Sequence, residues 1–403
     1  MLKHWLRITW IATALAAGTA SGATWFVEQA TGSDANDGMQ PETAFATITR
    51  ALEVAGDTDT IIVGIGVYAP TSGEVLPLES FEQSLTIEGA GERLTVIDGE
   101  ATAQVLNLNI GDGNTVRLAN LAIINGASAI GAGLFVGEPG RLEVERVRFA
   151  GNDGSIGGAL HLQINQDQNA DVSVLDCTFE DNSAAIGPGL HVQQNGAGEH
   201  AVLVERSVFR RHDDEAVVVS RNDGGGLVTL RSSIIDAADQ GGVRSSQTGV
   251  AIINSTLVGT RELVNANADL EIINSILVVE EESGDGGGDG GGRPDDKGGT
   301  RVVGGSGGLV RDSIVRPLDV GSHTVGDNVI DDDPLLTASL RLTVASPALD
   351  RGDDTVVGSD ARDVDGDARI LGTASAGGAG GLVDLGADEF DAATIFHDGF
   401  EEE

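Results

Sequence analysis

The sequence predicts an all-β chain wound as a single-stranded right-handed parallel β-helix, with an N-terminal capping helix and a C-terminal cap, and three observations predict it. The first is a line of apolar, any, apolar, any, any, small or apolar, any, apolar residues. It recurs as Val116-Leu118-Leu121-Ile123, Leu142-Val144-Val147-Phe149, Val172-Val174-Cys177-Phe179, Val202-Val204-Ser207-Phe209, Val228-Leu230-Ser233-Ile235, Val250-Ile252-Ser255-Leu257 and Leu270-Ile272-Ser275-Leu277. Alternation with period two marks strands, and spacings of 20 to 30 residues that change from copy to copy suit a solenoid whose loops vary while its strands stay in register. The second is a further strand 11 residues beyond the line in three copies, Leu134-Val136, Leu160-Leu162 and Leu190-Val192, each preceded by a glycine-rich corner at Gly131-Ala132-Gly133, Gly157-Gly158-Ala159 or Gly187-Pro188-Gly189. The third is composition: 40% hydrophobic residues with only 3% aromatic and 58 glycines imply thin aliphatic layers and many tight bends.

Charge narrows the function classes. The 403 residues carry 63 Asp and Glu against 24 Lys and Arg, a formal net charge of −39. Such a field repels phosphate backbones and anionic lipid, so nucleic acid and membrane surfaces are not expected partners. The single Cys177 cannot form an internal disulfide, and it falls in the inward column shared by Val147 and Ser207, where a buried inert thiol is expected. A monomer that needs no cofactor, with calcium as the one candidate ion, is the expectation.

Along the chain, residues 1–23 read as a secretory leader: Lys3 and Arg7, an apolar run from Ile8 to Ala17 too short to span a bilayer, and Ser21-Gly22-Ala23 as the cleavage site. Residues 24–58 form the N-terminal cap, with a helical pattern from Thr47 to Ala55 that covers the open edge of the first coil. Residues 59–330 form the solenoid, interrupted at 280–308 by an acidic, glycine-rich insertion read as a flexible loop, after which the line resumes at Val310-Ser313-Val315. Residues 331–390 make the C-terminal block and 391–403 a short acidic tail, with no apolar anchor after it. A protein secreted or displayed at the cell surface is therefore expected.

The corners carry a resemblance. Phe149-Ala150-Gly151-Asn152 and Phe179-Glu180-Asp181-Asn182, each followed by a Gly157-Gly158-Ala159-Leu160 type turn, resemble the FxxN and GGA[ILV] repeats of polymorphic outer-membrane and autotransporter-passenger β-helices. The opening run, Phe26-Val27 through Gly66-Val67-Tyr68, resembles secreted proteins of the pectate-lyase-like superfamily. The blocks Asp333-Pro334-Leu335-Leu336, Leu340-Arg341-Leu342, Ser346-Pro347-Ala348-Leu349-Asp350, Asp363 to Arg369 and Val383 to Phe390 are similar, in order, to the C-terminal segment of choice-of-anchor Q domain proteins. These resemblances imply an exported bacterial β-helix.

Three clusters bear on chemistry. β-Helices host polysaccharide lyases and hydrolases, so catalysis has to be argued from residues. The dense candidate is the corner Arg211, His212, Asp213 and Asp214, where Arg would take a proton and acids would hold Ca²⁺; no Gly-His-Gly with spaced Asp pairs and no Asp-Pro-His occurs. His161 and His191, with Gln163 and Gln193, fall in equivalent outward positions and read as a polar ladder on one face, a candidate for binding sugar or metal. Asp363, Asp365 and Asp367 alternate around Gly366 as a candidate calcium loop, with Arg369 as their competing partner. The expected function is a non-catalytic β-helix with an adhesion, matrix or carbohydrate-contact role. The alternative is an extracellular lyase or glycoside hydrolase acting on acidic polysaccharide. It requires Asp181, Asp213, Asp214, Arg211 and His191 to share one cleft.

Overall fold

A computed structural model describes residues 22–165, 169–195, 199–221, 225–238, 240–267, 269–280, 301–358, 360–369 and 383–390. Residues 1–21 of the leader, the acidic tail and residues 281–300 of the insertion lie outside them. The chain winds as a right-handed parallel β-helix in which each strand pairs with its equivalent one coil on. On the first sheet a single column runs from Trp25 through Ile61, Ile87, Leu118, Val144, Val174, Val204, Leu230, Ile252, Ile272 and Val310 to Val325. The repeat therefore extends beyond both ends of the seven-copy line. The second sheet stacks Leu78, Leu106, Leu134, Leu160, Leu190, Val217, Val243, Val264 and Val303. Between the two sheets lies one continuous aliphatic core.

The line read as one strand is bent in its middle. Its fifth position takes a left-handed backbone in coil after coil, at Asn120, Arg146, Asp176, Arg206, Ser232, Asn254, Asn274, Asp312 and Asn328. A non-glycine residue there costs roughly 1–2 kcal/mol, least for Asn and Asp, which fill most of the column. The small residue that follows repairs the interrupted hydrogen bonding. The amides of Cys177, Ser207, Ser233, Ser255 and Ser275 donate to the hydroxyls of Ser207, Ser233, Ser255, Ser275 and Ser313 respectively, at 3.1–3.3 Å. Each of those hydroxyls donates in turn to the carbonyl two residues back, as Ser255 does to Ile253 at 2.9 Å. Ser255→Ala leaves the Ser233 amide and the Ile253 carbonyl short of a buried partner. It should lower stability by about 1–3 kcal/mol, read as a lower urea midpoint by circular dichroism; an unchanged midpoint would remove the repair role. Cys177 occupies the first rung, where burial pushes its thiol up to about 12.

At the N-terminal end, helix α1 (Ile48–Val54) buries Ile48 and Ala51 against the first coil. Its free amides are met by carboxylates: Glu74 accepts from Ile48 and Thr49 at 2.7 and 2.9 Å, and Asp34 accepts from Ala46 and Thr47 at 2.9 and 3.0 Å. Two regions differ from the sequence expectation. Residues 303–308, read as the end of the insertion, belong to the strand Val303–Arg311, which continues the second sheet at Val303 and the first at Val310. Glycines suppressed the apolar alternation there. The C-terminal block rests on the flank of the last coils, where Leu342, Ala348 and Leu385 cover the outward Ile276 and Ile314. Polar contacts hold it in place, among them Ala387 to Thr256 at 2.9 Å, Asp353 to Asn274 at 2.8 Å and Arg311 to Asp353 at 2.7 Å.

Candidate functional site

The corner Arg211–Asp214 is the third rung of an internal ladder. Phe149, Phe179 and Phe209 stack with ring centroids 4.9 and 4.4 Å apart. Three residues on, the buried Asn182 accepts from the Asn152 amide and side chain at 3.0 and 2.9 Å and donates to the Phe149 carbonyl at 3.0 Å. His212 follows in the column, its Nδ1 3.2 Å from the Asn182 carbonyl, and burial pushes its imidazole down to about 4. Arg211 makes a bidentate pair with Asp181 at 2.7 Å and reaches Glu180 at 3.0 Å. Glu180 also binds Arg148 and Arg210, both at 2.6 Å. Asp213 accepts from the Ser183 hydroxyl at 2.5 Å and the Ala184 amide at 3.0 Å. Arg211 and Asp213 thus spend their polar atoms on neighbouring groups, His212 has a buried Nε2 without a hydrogen-bond partner among the described residues, and His191, which the lyase reading needs beside them, bonds elsewhere. Asp214 is the exception: burial and the adjoining Glu215 push its carboxyl up to about 7.

The second-sheet ladder is in the register the sequence implies, His161 opposite His191 and Gln163 opposite Gln193. Its histidines are not on the surface. They are 0% and 3% exposed, which corrects the outward polar strip to a buried pair. The cause is the corner chain folding over them. Gly157 and Gly187 sit at φ +64° and +61°, and a Cβ on either would come within 2.6 and 2.9 Å of the His161 and His191 Cβ atoms. Phe135 stacks on His161 at 5.5 Å with the rings nearly parallel. The two Nδ1 atoms lie 3.1 Å apart, and His191 Nε2 lies 3.1 Å from Ser220 Oγ. Burial is the main cause that pushes His161 down to about 3 and His191 down to about 4, the latter helped by the charge of Arg244.

The glutamines do face outward. Gln163 donates to Asn165 at 3.3 Å, Gln193 to Asn195 at 3.1 Å, and Asn195 to Asn165 at 3.1 Å, giving two stacked amide rungs. Ser220 and Ser246 continue the glutamine column. Arg244 lies opposite Val218, 3.5 Å from Glu215, with its buried Nε lacking a hydrogen-bond partner among the described residues. Sequence reasoning missed Ser220, Arg244, Asn165 and Asn195. In the first three coils the second strand starts 11 residues after the line ends, but Val217 follows Phe209 by only eight, because the corner there is shorter. The run Val217-Val218-Val219-Ser220, aligned on its alternation instead, would have revealed the continuation.

The C-terminal carboxylates regroup. Asp363, Asp365 and Asp388 bring oxygens within 4.8 Å of one another, so Asp388 takes the place expected of Asp367. Asp367 instead offers backbone: its amide donates to Asp363 at 2.7 Å and its carbonyl accepts the Asp363 amide at 2.9 Å. Asp365 is held bidentate by Arg341 at 2.6 and 2.7 Å, and Asp363 and Asp388 accept backbone amides of Asp365, Glu389 and Leu342 at 3.0, 3.1 and 2.8 Å. Calcium collects six to eight oxygens; here three carboxylates converge and one is neutralised by Arg341. Arg369 is fully buried in their midst, donates to the Gly386 carbonyl at 2.5 Å, and has Nε and Nη1 without a hydrogen-bond partner among the described residues. Burial raises Asp384 and Asp388 to about 6 and Glu389 to about 9.

Among solved structures the chain is similar to a pectin methylesterase from carrot, with 12% identity, a TM-score of 0.38, and 63% of this chain and 83% of that one covered. It is also similar to a rhamnogalacturonan lyase, with 11% identity, a TM-score of 0.40, and coverage of 94% and 99%. Likeness this distant carries nothing about substrate or mechanism. No curated protein matches the chain at a significant level. The family model described as "Protein of unknown function (DUF1565)" matches residues 30–255, more than half of the chain, and the protein belongs to that family.

Proposed function

We propose that the protein is an exported β-helix that contacts carbohydrate along the amide and hydroxyl face of its second sheet and leaves glycosidic bonds intact. The observation that carries this reading is the pair of amide rungs Gln163–Asn165 and Gln193–Asn195, followed in register by Ser220 and Ser246. Planar amides and hydroxyls repeated at the ~4.8 Å spacing of a parallel ladder offer paired donors and acceptors to successive hydroxyl groups of an extended chain. The corner Arg211–Asp214 supports leaving lyase chemistry out, since Arg211 is already held by Asp181 and Glu180 and Asp213 already accepts from Ser183 and Ala184. A formal charge of −39 favours a neutral glycan, or an acidic one bridged by external calcium. Calcium held at Asp363, Asp365 and Asp388 is not needed by this reading, because it would have to displace Arg341. Export rests on the leader pattern of residues 1–23.

The test is a panel of neutral and acidic polysaccharides scored for binding and for backbone cleavage, with and without Ca²⁺. The double variant Gln163→Ala, Gln193→Ala should weaken binding roughly tenfold, the equivalent of one to two net hydrogen bonds. Unchanged affinity in that variant would sink the assignment of the face, and chain shortening by the parent protein would restore the enzymatic alternative.

A further inference from the structure

We propose that Ser220, His191 and His161 form a nucleophile, base and orienting group that hydrolyse small acyl esters borne by the carbohydrate on this face. The inference rests on the carbohydrate-contact reading for its substrate and on the three side chains for its chemistry. Most columns of the solenoid stack like on like, as Gln193 does over Gln163. His191 stacks on His161 in one direction but meets Val218 in the other, and it turns its two nitrogens to different partners, Nδ1 to His161 and Nε2 to Ser220, both at 3.1 Å. A hydroxyl bonded to a base, with the base held through its other nitrogen, is the arrangement that makes serine a nucleophile.

The surroundings favour it. His161 Nε2 is buried without a hydrogen-bond partner among the described residues, so the hydrogen bond this ring makes there is the one that orients His191. Phe135 and Gly157 fix the His161 ring, and Gly187 crowds His191 from behind. Both imidazoles are closed to solvent while Ser220 is half-buried, so the hydroxyl is the member a substrate reaches. Arg244, one coil on, supplies a fixed positive charge beside the set for a developing oxyanion. Gln193 and Ser246 flank Ser220 on an open face, which suits an acetyl group better than a long acyl chain.

In the productive tautomer His191 donates Nδ1–H to His161 and accepts the Ser220 hydroxyl at Nε2. Ser220 Oγ adds to the ester carbonyl carbon as its proton passes to His191. The tetrahedral adduct collapses, the C–O bond to the sugar breaks, and the sugar oxygen takes the proton from His191. Water then adds to the acyl carbon as a proton passes to His191, the bond from that carbon to Ser220 Oγ breaks, Oγ takes the proton back from His191, and acetic acid leaves and ionises to acetate. His161 lies against one nitrogen of His191, and the charge of Arg244, itself 3.5 Å from Glu215, acts on the ring; with its imidazole held low by burial and Arg244, the base is free from about pH 5 upward, and the rate should stay flat from there to neutrality.

The experiment uses the full mature chain, a fluorophosphonate probe mapped by mass spectrometry, and acetate release from acetylated xylan and from 4-nitrophenyl acetate. Labelling at Ser220 is expected, with turnover lowered about a hundredfold or more in Ser220→Ala and His191→Asn. His161→Asn should lower kcat and tilt the flat pH profile with KM unchanged, as suits a positioning residue. Absence of label on Ser220, or acetate release that survives Ser220→Ala, overturns the inference. Glycan binding that persists in Ser220→Ala alongside such a failure leaves the contact reading standing. Labelled, active protein whose binding ignores Gln163 and Gln193 sinks that reading alone.

Discussion

Asn182→Ala is expected to destabilise the solenoid by about 3–5 kcal/mol. One amide there serves three buried groups: its oxygen accepts the Asn152 backbone and side-chain N–H groups, and its nitrogen donates to the Phe149 carbonyl. Alanine leaves all three without that partner in a place that is 1% exposed, and an unsatisfied buried group costs about 1–3 kcal/mol. Truncation also removes contacts beside the Phe149, Phe179 and Phe209 stack. Asn182→Asp separates the parts, since a carboxylate still accepts from Asn152 but cannot donate to Phe149, and it buries a charge. Urea unfolding at neutral pH should place both variants well below the parent. Parent-like stability of Asn182→Ala would show that the FxxN corner is held by the phenylalanines alone.

How much of this was legible depends on whether a residue's neighbours repeat. The first sheet was plain because every coil repeats apolar, any, apolar, and the helix Thr47 to Ala55 was plain because it is amphipathic and capped by Thr47. The left-handed bend was not, since nothing in an alternating pattern marks a change of backbone sign; the predominance of Asn and Asp in its column, broken by Arg146, Arg206 and Ser232, is the signal, visible once copies are aligned. The strand Val303–Arg311 was hidden by its glycines. For the sites, register was correct and depth was not. Alternation says that His161 faces away from the core, but only the fold of the preceding corner decides whether that outward face meets water. Asp388 could not have been grouped with Asp363 by spacing, because the two lie far apart in the sequence and only the fold brings their carboxylates together.

The coils and the C-terminal block should respond to pH in opposite directions. His161, His191 and His212 sit at about 3, 4 and 4 in the folded chain against 6.5 when unfolded. Between about pH 4 and 6.5 the unfolded chain binds protons that the native coils refuse, so coil stability rises with pH across that window and is level above it. Asp384, Asp388 and Glu389 are raised by burial to about 6, 6 and 9, so here the native state keeps protons that the unfolded one releases. The block is therefore tightest near pH 4 and loosens as pH climbs, through about 6 for the aspartates and on toward 9 for Glu389, a loss of order a few kcal/mol over the whole range. The uncharged mimic Glu389→Gln should abolish the upper part of that loss, because it keeps an oxygen to accept the Asp384 amide without the charge. Limited proteolysis within residues 331–390 at pH 5 and pH 8.5, beside thermal melting of the coils by circular dichroism, reads the two directions separately. Cleavage of the block that is equally slow at both pH values would mean that Arg369 and Arg341 already balance the buried carboxylates.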